Sequence, residues 1–497
     1  MKISLFIKNT VIVVFTGLIL RMVGMFFKVW LAEKIGSEGL GLYQLIFSVY
    51  TLAATFATAG ISTAVTRLVS EEEQNGLSAV KKVMSRAVWL TLSAALLSTT
   101  IIYFGAEPIA IYLLKDTRAV MSLKILSFSL PFMGLSSLSR GYFLARRKQI
   151  QPSAVQMVEQ AVRIAVTITA VGLTIEKGLA YTSAAVLLGD VVAETASFFL
   201  NWILYIIDRK NLPKEGQTPK KTVRRILHIA MPITGSSYIS SALHTAESLL
   251  VPIKLSVFHG SKERALELFG AIKGMALPTI FFPAAFLSSM STMLIPEVSS
   301  AKALGDFRKV RQTISQSVGT TLVLSCFIAI GFMLNADDIS MIIYNDTDVG
   351  GIIKTLSPII PFMYLESVTA GLLKGLDCQL DMLYYNTFDS ILRITAVLTV
   401  LPFFGIKGYL GIMIVSNIFT CSLSAVCLFR SAQIKPDMVN WLLVPIGVSL
   451  LGGVLGKMVA NPIENSLLHL ILSLGIQGSV CFVYWILTCK HKKNVIN

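Results

Sequence analysis

The feature that most constrains this chain is a succession of long apolar runs. About fourteen of them reach the roughly 20 residues that a helix needs to cross the ~30 Å hydrocarbon core of a bilayer. They lie near residues 10–32, 41–66, 84–105, 119–144, 151–173, 179–207, 225–255, 265–298, 313–334, 350–374, 384–403, 408–430, 438–459 and 464–489. The longest polar interval, Asp208 to Arg225, is too short for a soluble domain. Hydrocarbon offers no partner to backbone N–H and C=O groups, so each run must satisfy its own as a helix. The expected fold is all-α and polytopic. Composition agrees: 54% of residues are apolar and 14% charged, against about 25% charged in a soluble domain. The net charge of +15 sits in short clusters between the runs, which argues against a nucleic-acid partner. The six cysteines show no C-x-x-C spacing and fall mostly inside apolar runs, so they read as small core residues. The first run, from about Thr10 to Leu31, exceeds a signal-peptide core and lacks a cleavage site, so it is expected to be a retained helix.

Orientation follows from basic residues in the loops. One set of loops carries roughly 27 Lys and Arg and the opposite set about 10, which predicts that both termini face the cytoplasm of a bacterial inner membrane. An even helix count requires the same.

A shift of 230 residues aligns Lys124–Met133 with Lys354–Met363, then Gly141 with Gly371. At the same offset Glu159 and Arg163 meet Asp389 and Arg393, and Lys177-Gly178 meets Lys407-Gly408. Charged residues, prolines and glycines recurring at one offset predict two homologous lobes with a shared orientation, the parallel-repeat pattern of transporters. The expected organisation is an N-lobe over 1–207 (helices 1–6), a cytoplasmic linker over 208–224 and a C-lobe over 225–430 (helices 7–12). Helices 13–14 and a cytoplasmic tail occupy 431–497.

An ionisable group inside the membrane costs about 2.5–3.5 kcal/mol on insertion scales, so each needs a reason. Glu159–Arg163 and Asp389–Arg393 have i,i+4 spacing, which suits an ion pair within each lobe or a role lining a cavity. Asp190 and Glu194 share one helix face; they are candidates for proton or cation coupling, or for pairing with an arginine of their lobe. Glu247 and Glu366 are further intramembrane acids. Arg21, Lys28 and Lys273 have no acid three or four residues away, and Arg21 and Lys28 are seven apart on one face of the first helix. Cations on a shared interior suit a phosphate or pyrophosphate. No nucleotide-binding loop, metal-ligand cluster or nucleophile constellation is recognisable, so neither an enzyme nor a cofactor is expected.

The run Leu20-Arg21-Met22-Val23-Gly24, followed by Ile35-Gly-Ser-Glu-Gly-Leu-Gly-Leu-Tyr-Gln-Leu45, resembles the opening of polysaccharide exporters of the multidrug/oligosaccharidyl-lipid/polysaccharide (MOP) superfamily. More narrowly it resembles the stage V sporulation protein B group, which is related to the lipid II flippases. The resemblance extends over essentially the whole chain. It implies a flippase that moves a lipid-linked, polyprenyl-pyrophosphate sugar or peptidoglycan precursor by alternating access, for cell-wall or spore-cortex synthesis. It also implies membrane lipids and cell-wall synthesis proteins as partners, with Arg21, Lys28 and Lys273 as the cavity cations. Two family features are missing: an apolar stretch around Leu42-Tyr43 replaces an acid, and Ala53 and Ala54 stand where an arginine falls. These departures argue against lipid II itself as cargo. The rival expectation is an ion-coupled drug or metabolite antiporter of the same superfamily, which would have an acidic cavity and usually twelve helices.

Overall fold

A computed structural model describes residues 2–58, 60–212, 221–463 and 465–496; residues 213–220 of the expected linker lie outside the described ones. Every element described is helical. The longest cannot be single crossings. Helix α1 (Lys2–Thr58) has 57 residues and would be ~85 Å long if straight at 1.5 Å per residue. It breaks at Gly36, with φ 68° and ψ 179°, a conformation that only glycine takes at little cost. Helices α2 (Ile61–Glu72), α3 (Gly76–Phe104), α4 (Ala119–Ser127), α5 (Ser129–Ala145), α6 (Ile150–Thr174), α7 (Leu179–Asp208), α8 (Thr222–His259) and α9 (Lys262–Gly270) follow. After a π-helical turn, Ala271–Ala276, come α10 (Leu277–Phe281), α11 (Ala284–Ala303), α12 (Phe307–Tyr344), α13 (Thr347–Leu356) and α14 (Ile360–Gly375). Then come α15 (Gln379–Ala432), α16 (Val444–Ala460) and α17 (Ser466–Ile496).

Among the described residues nine helices are long and apolar enough to cross a membrane, or ten if the bent pair Lys262–Phe281 and Ala284–Ala303 is one span. Val14–Phe104, with 91 residues, and Gln379–Ala432, with 54, each exceed one crossing. Fourteen crossings require the first to count as three and the second as two, with Thr222–His259 crossing as well.

Packing divides the chain into two units, residues 1–270 and 271–497. The division falls inside the eighth apolar run and not in the linker, because α8 and α9 pack on the first unit. A Cβ on Gly41 would lie 2.2 Å from the Leu266 carbonyl oxygen, and one on Gly270 1.8 Å from that of Ser37. The α1 and α9 backbones touch there. Helix α8 is joined to α1 by Thr55 donating to Ser241 (3.2 Å) and by Thr245 donating to the Ser48 carbonyl (3.0 Å).

One end of the first unit has an aromatic and aliphatic core that includes Val65, Leu68, Met84, Tyr142, Phe143 and Ile226. An ionic network closes it. Asp208, at the end of α7, accepts from Tyr142 and pairs with Arg146 and Lys148, and Arg146 reaches Glu73 at 3.0 Å. Arg225 pairs with Glu71 at 2.8 Å and also with Glu72.

In the second unit α15 folds back on itself at Gly405 (φ 53°, ψ −137°). The corresponding hairpin of the first unit, α6 and α7, turns at Gly178 (φ 93°). The 230-residue offset pairs Gly178 with Gly408, so the second hairpin turns three residues earlier than the alignment expects. Helices α16 and α17 form a tight pair through Gly452 and Gly456, a G-x-x-x-G spacing that lets backbones approach. A Cβ on Gly456 would sit 2.4 Å from the Ser473 carbonyl oxygen. The pair is tied to α12 by Ser473 donating to Asn335 (3.0 Å) and Gln477 donating to the Phe327 carbonyl (3.1 Å).

Candidate functional site

The densest intramembrane charge lies across the α6–α7 hairpin. Glu159 and Arg163 are one turn apart on α6, Asp190 and Glu194 one turn apart on α7, and the antiparallel register brings all four together. Arg163 lies 3.0 Å from Glu159, 2.8 Å from Asp190 and 4.0 Å from Glu194. Its Nη1 donates to the Gln160 side chain at 2.9 Å. Gly189 allows the approach, since a Cβ there would meet the Thr167 hydroxyl at 2.1 Å and the Arg163 carbonyl at 3.2 Å. Glu159 and Asp190 are each 9% exposed. Arg140, on α5, adds positive charge toward Glu194. Three acids thus face two bases. One carboxylate oxygen each of Glu159 and Glu194 is buried with no hydrogen-bond partner. A buried, under-satisfied carboxylate can take up a proton or a small cation. Tyr50 lies beside this cluster and accepts from Ser129 at 2.8 Å.

The second unit holds a counterpart. Asp389 is 5% exposed and accepts from the Ser416 hydroxyl at 2.7 and 2.8 Å. Arg393 stands 4.0 Å from Asp389, a looser pair than Glu159–Arg163. Glu366, on α14, accepts from Thr420 at 3.3 Å. Arg393 and Ser416 also line a cleft of about 480 Å³ between the two legs of α15, with Phe404, Lys407 and Ile412.

The cations are spread over the two units. On α1, Arg21 is exposed and Lys28 half-buried. Lys273 lies on the π-helical turn, five residues before Pro278. Proline supplies no N–H to the preceding turn, and a π-bulge is one way to absorb that loss. Arg21 and Lys273 both engage in polar or electrostatic interactions, so lacking an acid one turn away does not isolate them. Glu247 is 3% exposed on α8 and also has a partner.

Sequence reasoning missed the hydroxyls that serve these acids. Ser416 and Thr420 could have been found by folding the run 384–430 back at its turn glycine and pairing positions across the two legs. It also missed that Cys378, Asp381 and Cys427 converge.

A family profile described as polysaccharide biosynthesis protein matches residues 6–301, well over half the chain. The chain belongs to the polysaccharide biosynthesis protein family. A MatE profile matches residues 271–399, and both place this family member in the MOP superfamily of membrane transporters. It is 24% identical to "Stage V sporulation protein B" of Bacillus subtilis (strain 168) over 454 residues, covering 89% of this chain and 88% of the relative. To "Lipid II flippase MurJ" of the same organism it is 21% identical over 407 residues, covering 76% and 74%. Its fold matches that of a "Lipid II flippase MurJ, inward closed conformation" with TM-score 0.74 and 15% identity, over 98% of this chain and 100% of the other. An inward-facing multidrug resistance MATE transporter of the MOP superfamily matches with TM-score 0.64 and 10% identity, over 85% and 100%. This polysaccharide biosynthesis family member is therefore a multi-pass membrane transporter related to flippases, not to enzymes.

Proposed function

We propose that the chain flips a lipid-linked, anionic sugar precursor, carried on a polyprenyl pyrophosphate, across the bacterial cytoplasmic membrane. The observation that carries this reading is the pair α16–α17, packed through Gly452 and Gly456 and tied to α12. In this reading they are additions to a twelve-helix transporter body, and the flippase fold covers 98% of this chain where the multidrug transporter covers 85%. Two lobes of six helices and two further helices, fourteen crossings in all, would place both termini in the cytoplasm.

Arg21, Lys28 and Lys273 would hold the pyrophosphate. A guanidinium offers two parallel donors to phosphate oxygens, whereas an ammonium offers a point charge. The prenyl chain would stay in lipid while the lobes alternate. The acid-rich cluster around Arg163 would bind the proton or cation that resets the cycle. The test is a flipping assay in liposomes with a fluorescent undecaprenyl-pyrophosphate sugar on one leaflet. Protein-dependent movement to the other leaflet, lost in Arg21→Ala, is the expected result; equal movement in protein-free vesicles would end the proposal.

One observation favours a second reading, the ion-coupled antiporter. The three acids around Arg163 outnumber its charge, and two of their oxygens lack partners. Efflux of an organic cation against a proton gradient, with no movement of the lipid-linked sugar, would select it.

A further inference from the structure

We propose that Cys378, Asp381 and Cys427 form a binding site for a thiophilic divalent cation of the Zn2+ class, clasping the open end of the α15 hairpin. The two thiol sulfurs and an Asp381 carboxylate oxygen all lie within 4.8 Å of one another. Cys427 Sγ is 4.0 Å from Asp381 Oδ2. With metal–sulfur bonds of about 2.3 Å and metal–oxygen bonds of about 2.0–2.2 Å, tetrahedral ligands stand roughly 3.4–3.8 Å apart. Closing the set around an ion therefore takes side-chain shifts of about 1 Å and no movement of the helices.

The position of the site follows from the hairpin's register. Asp389 and Ser416 face each other across the two legs. Cys378 precedes Asp389 by eleven residues, and Cys427 follows Ser416 by eleven. Eleven residues are about three helical turns, so the cysteines continue the polar seam at the end away from Gly405. The turn that carries Cys378 is fixed independently. Lys302 donates to the Leu376 carbonyl (2.7 Å) and pairs with Asp377 (3.2 Å), and Asp377 adopts a left-handed φ of 62°. Asp381 is exposed, which leaves a fourth coordination position open to water and gives the ion a path of entry. Soft thiolates with one carboxylate favour zinc-like ions over magnesium or calcium. Binding releases a proton from each thiol to solvent and leaves two metal–thiolate bonds. Nothing in the proposed transport reaction uses these groups, so the site is a separate structural or regulatory clamp.

Co2+ is the spectroscopic probe. Full-length protein in detergent, reduced with a phosphine and desalted, is titrated with CoCl2. The expected result is one Co2+ per chain, with intense tetrahedral visible absorption and a thiolate-to-metal band in the near ultraviolet, both bleached by equimolar Zn2+. Cys378→Ser and Cys427→Ser should each abolish the thiolate band, and Asp381→Asn should weaken affinity at least tenfold. A variant with Cys326, Cys421, Cys481 and Cys489 all changed to Ser should bind as the parent does; with Asp381→Asn, it decides the matter if the Cys378 and Cys427 variants fold poorly. A band that persists in Cys378→Ser/Cys427→Ser overturns the proposal. So does reduced parent protein that takes up no Co2+, which would leave the two thiols as a disulfide-forming pair only.

Discussion

Replacing Arg163 by Met tests whether the α6–α7 cluster is held by one guanidinium. The substitution keeps an unbranched stem but leaves Glu159, Asp190 and Glu194 facing one another without the base that lies 3.0, 2.8 and 4.0 Å from them. Removing one partner of a buried ion pair costs about 3–5 kcal/mol, because the remaining charge stays desolvated. At about 2–4 °C per kcal/mol for a unit of this size, the apparent melting temperature should fall by roughly 10 °C. Asp190→Asn alone should cost less, since Arg163 keeps Glu159. The double change Arg163→Met/Asp190→Asn should melt above Arg163→Met, with a coupling of about 1–3 kcal/mol. Unfolding is followed in detergent as the fraction of monodisperse protein surviving a temperature ramp. Arg163→Met melting within 2 °C of the parent (about 1 kcal/mol or less), or strictly additive effects of the two changes, would refute the account.

Arg21→Ala should lower flipping per folded molecule at least tenfold while leaving melting within a few degrees, and Arg21→Lys should restore part of the rate; the liposome assay reads both. Gly456→Val places side-chain atoms against the Ser473 carbonyl, 2.4 Å from the first added carbon, and should destabilise the α16–α17 pair by about 1–3 kcal/mol. Cysteine crosslinking between α16 and α17 would register that loss. Reporter fusions at Asn497 should be active only with a cytoplasmic reporter; an active periplasmic-type reporter would reverse the orientation argued from loop charge.

The all-helical, multi-pass character was legible because a bilayer allows few solutions for apolar runs of this length. The pairing of Glu159 with Arg163 was legible because i,i+4 neighbours must meet on a helix. Contacts that depend on how helices lie beside each other were not. Nothing local to Asp190 shows that Arg163 comes within 2.8 Å, and nothing local to Asp389 shows that Ser416 donates to it. Nor do sequence neighbours reveal what Arg21 and Lys273 interact with. The unit boundary at Gly270 was hidden for the same reason: it follows from α9 packing onto Ser37 and Gly41 through glycines that carry no signal of their own. The approach of Cys378 and Cys427 to Asp381 was hidden as well, because these residues meet only once α15 has doubled back.

The gathering of most of each charged cluster within a single hairpin bears on how the chain enters the membrane. Glu159, Arg163, Asp190 and Glu194 all belong to α6 and α7, joined through Gly178, and Asp389, Arg393 and Ser416 all belong to α15, folded at Gly405. The α7 leg inserted alone would carry Asp190 and Glu194 into lipid at about 2.5–3.5 kcal/mol each, whereas α6 brings Glu159 and Arg163 as a pair. Both legs delivered together bring most of the neutralising partners with them, before the rest of the polypeptide has left the ribosome. The hairpin, not the single helix, is then the natural quantum of biogenesis for this chain. The α7 segment presented to the membrane without α6 should slip back out, and the same segment presented after α6, with Arg163 in place, should stay.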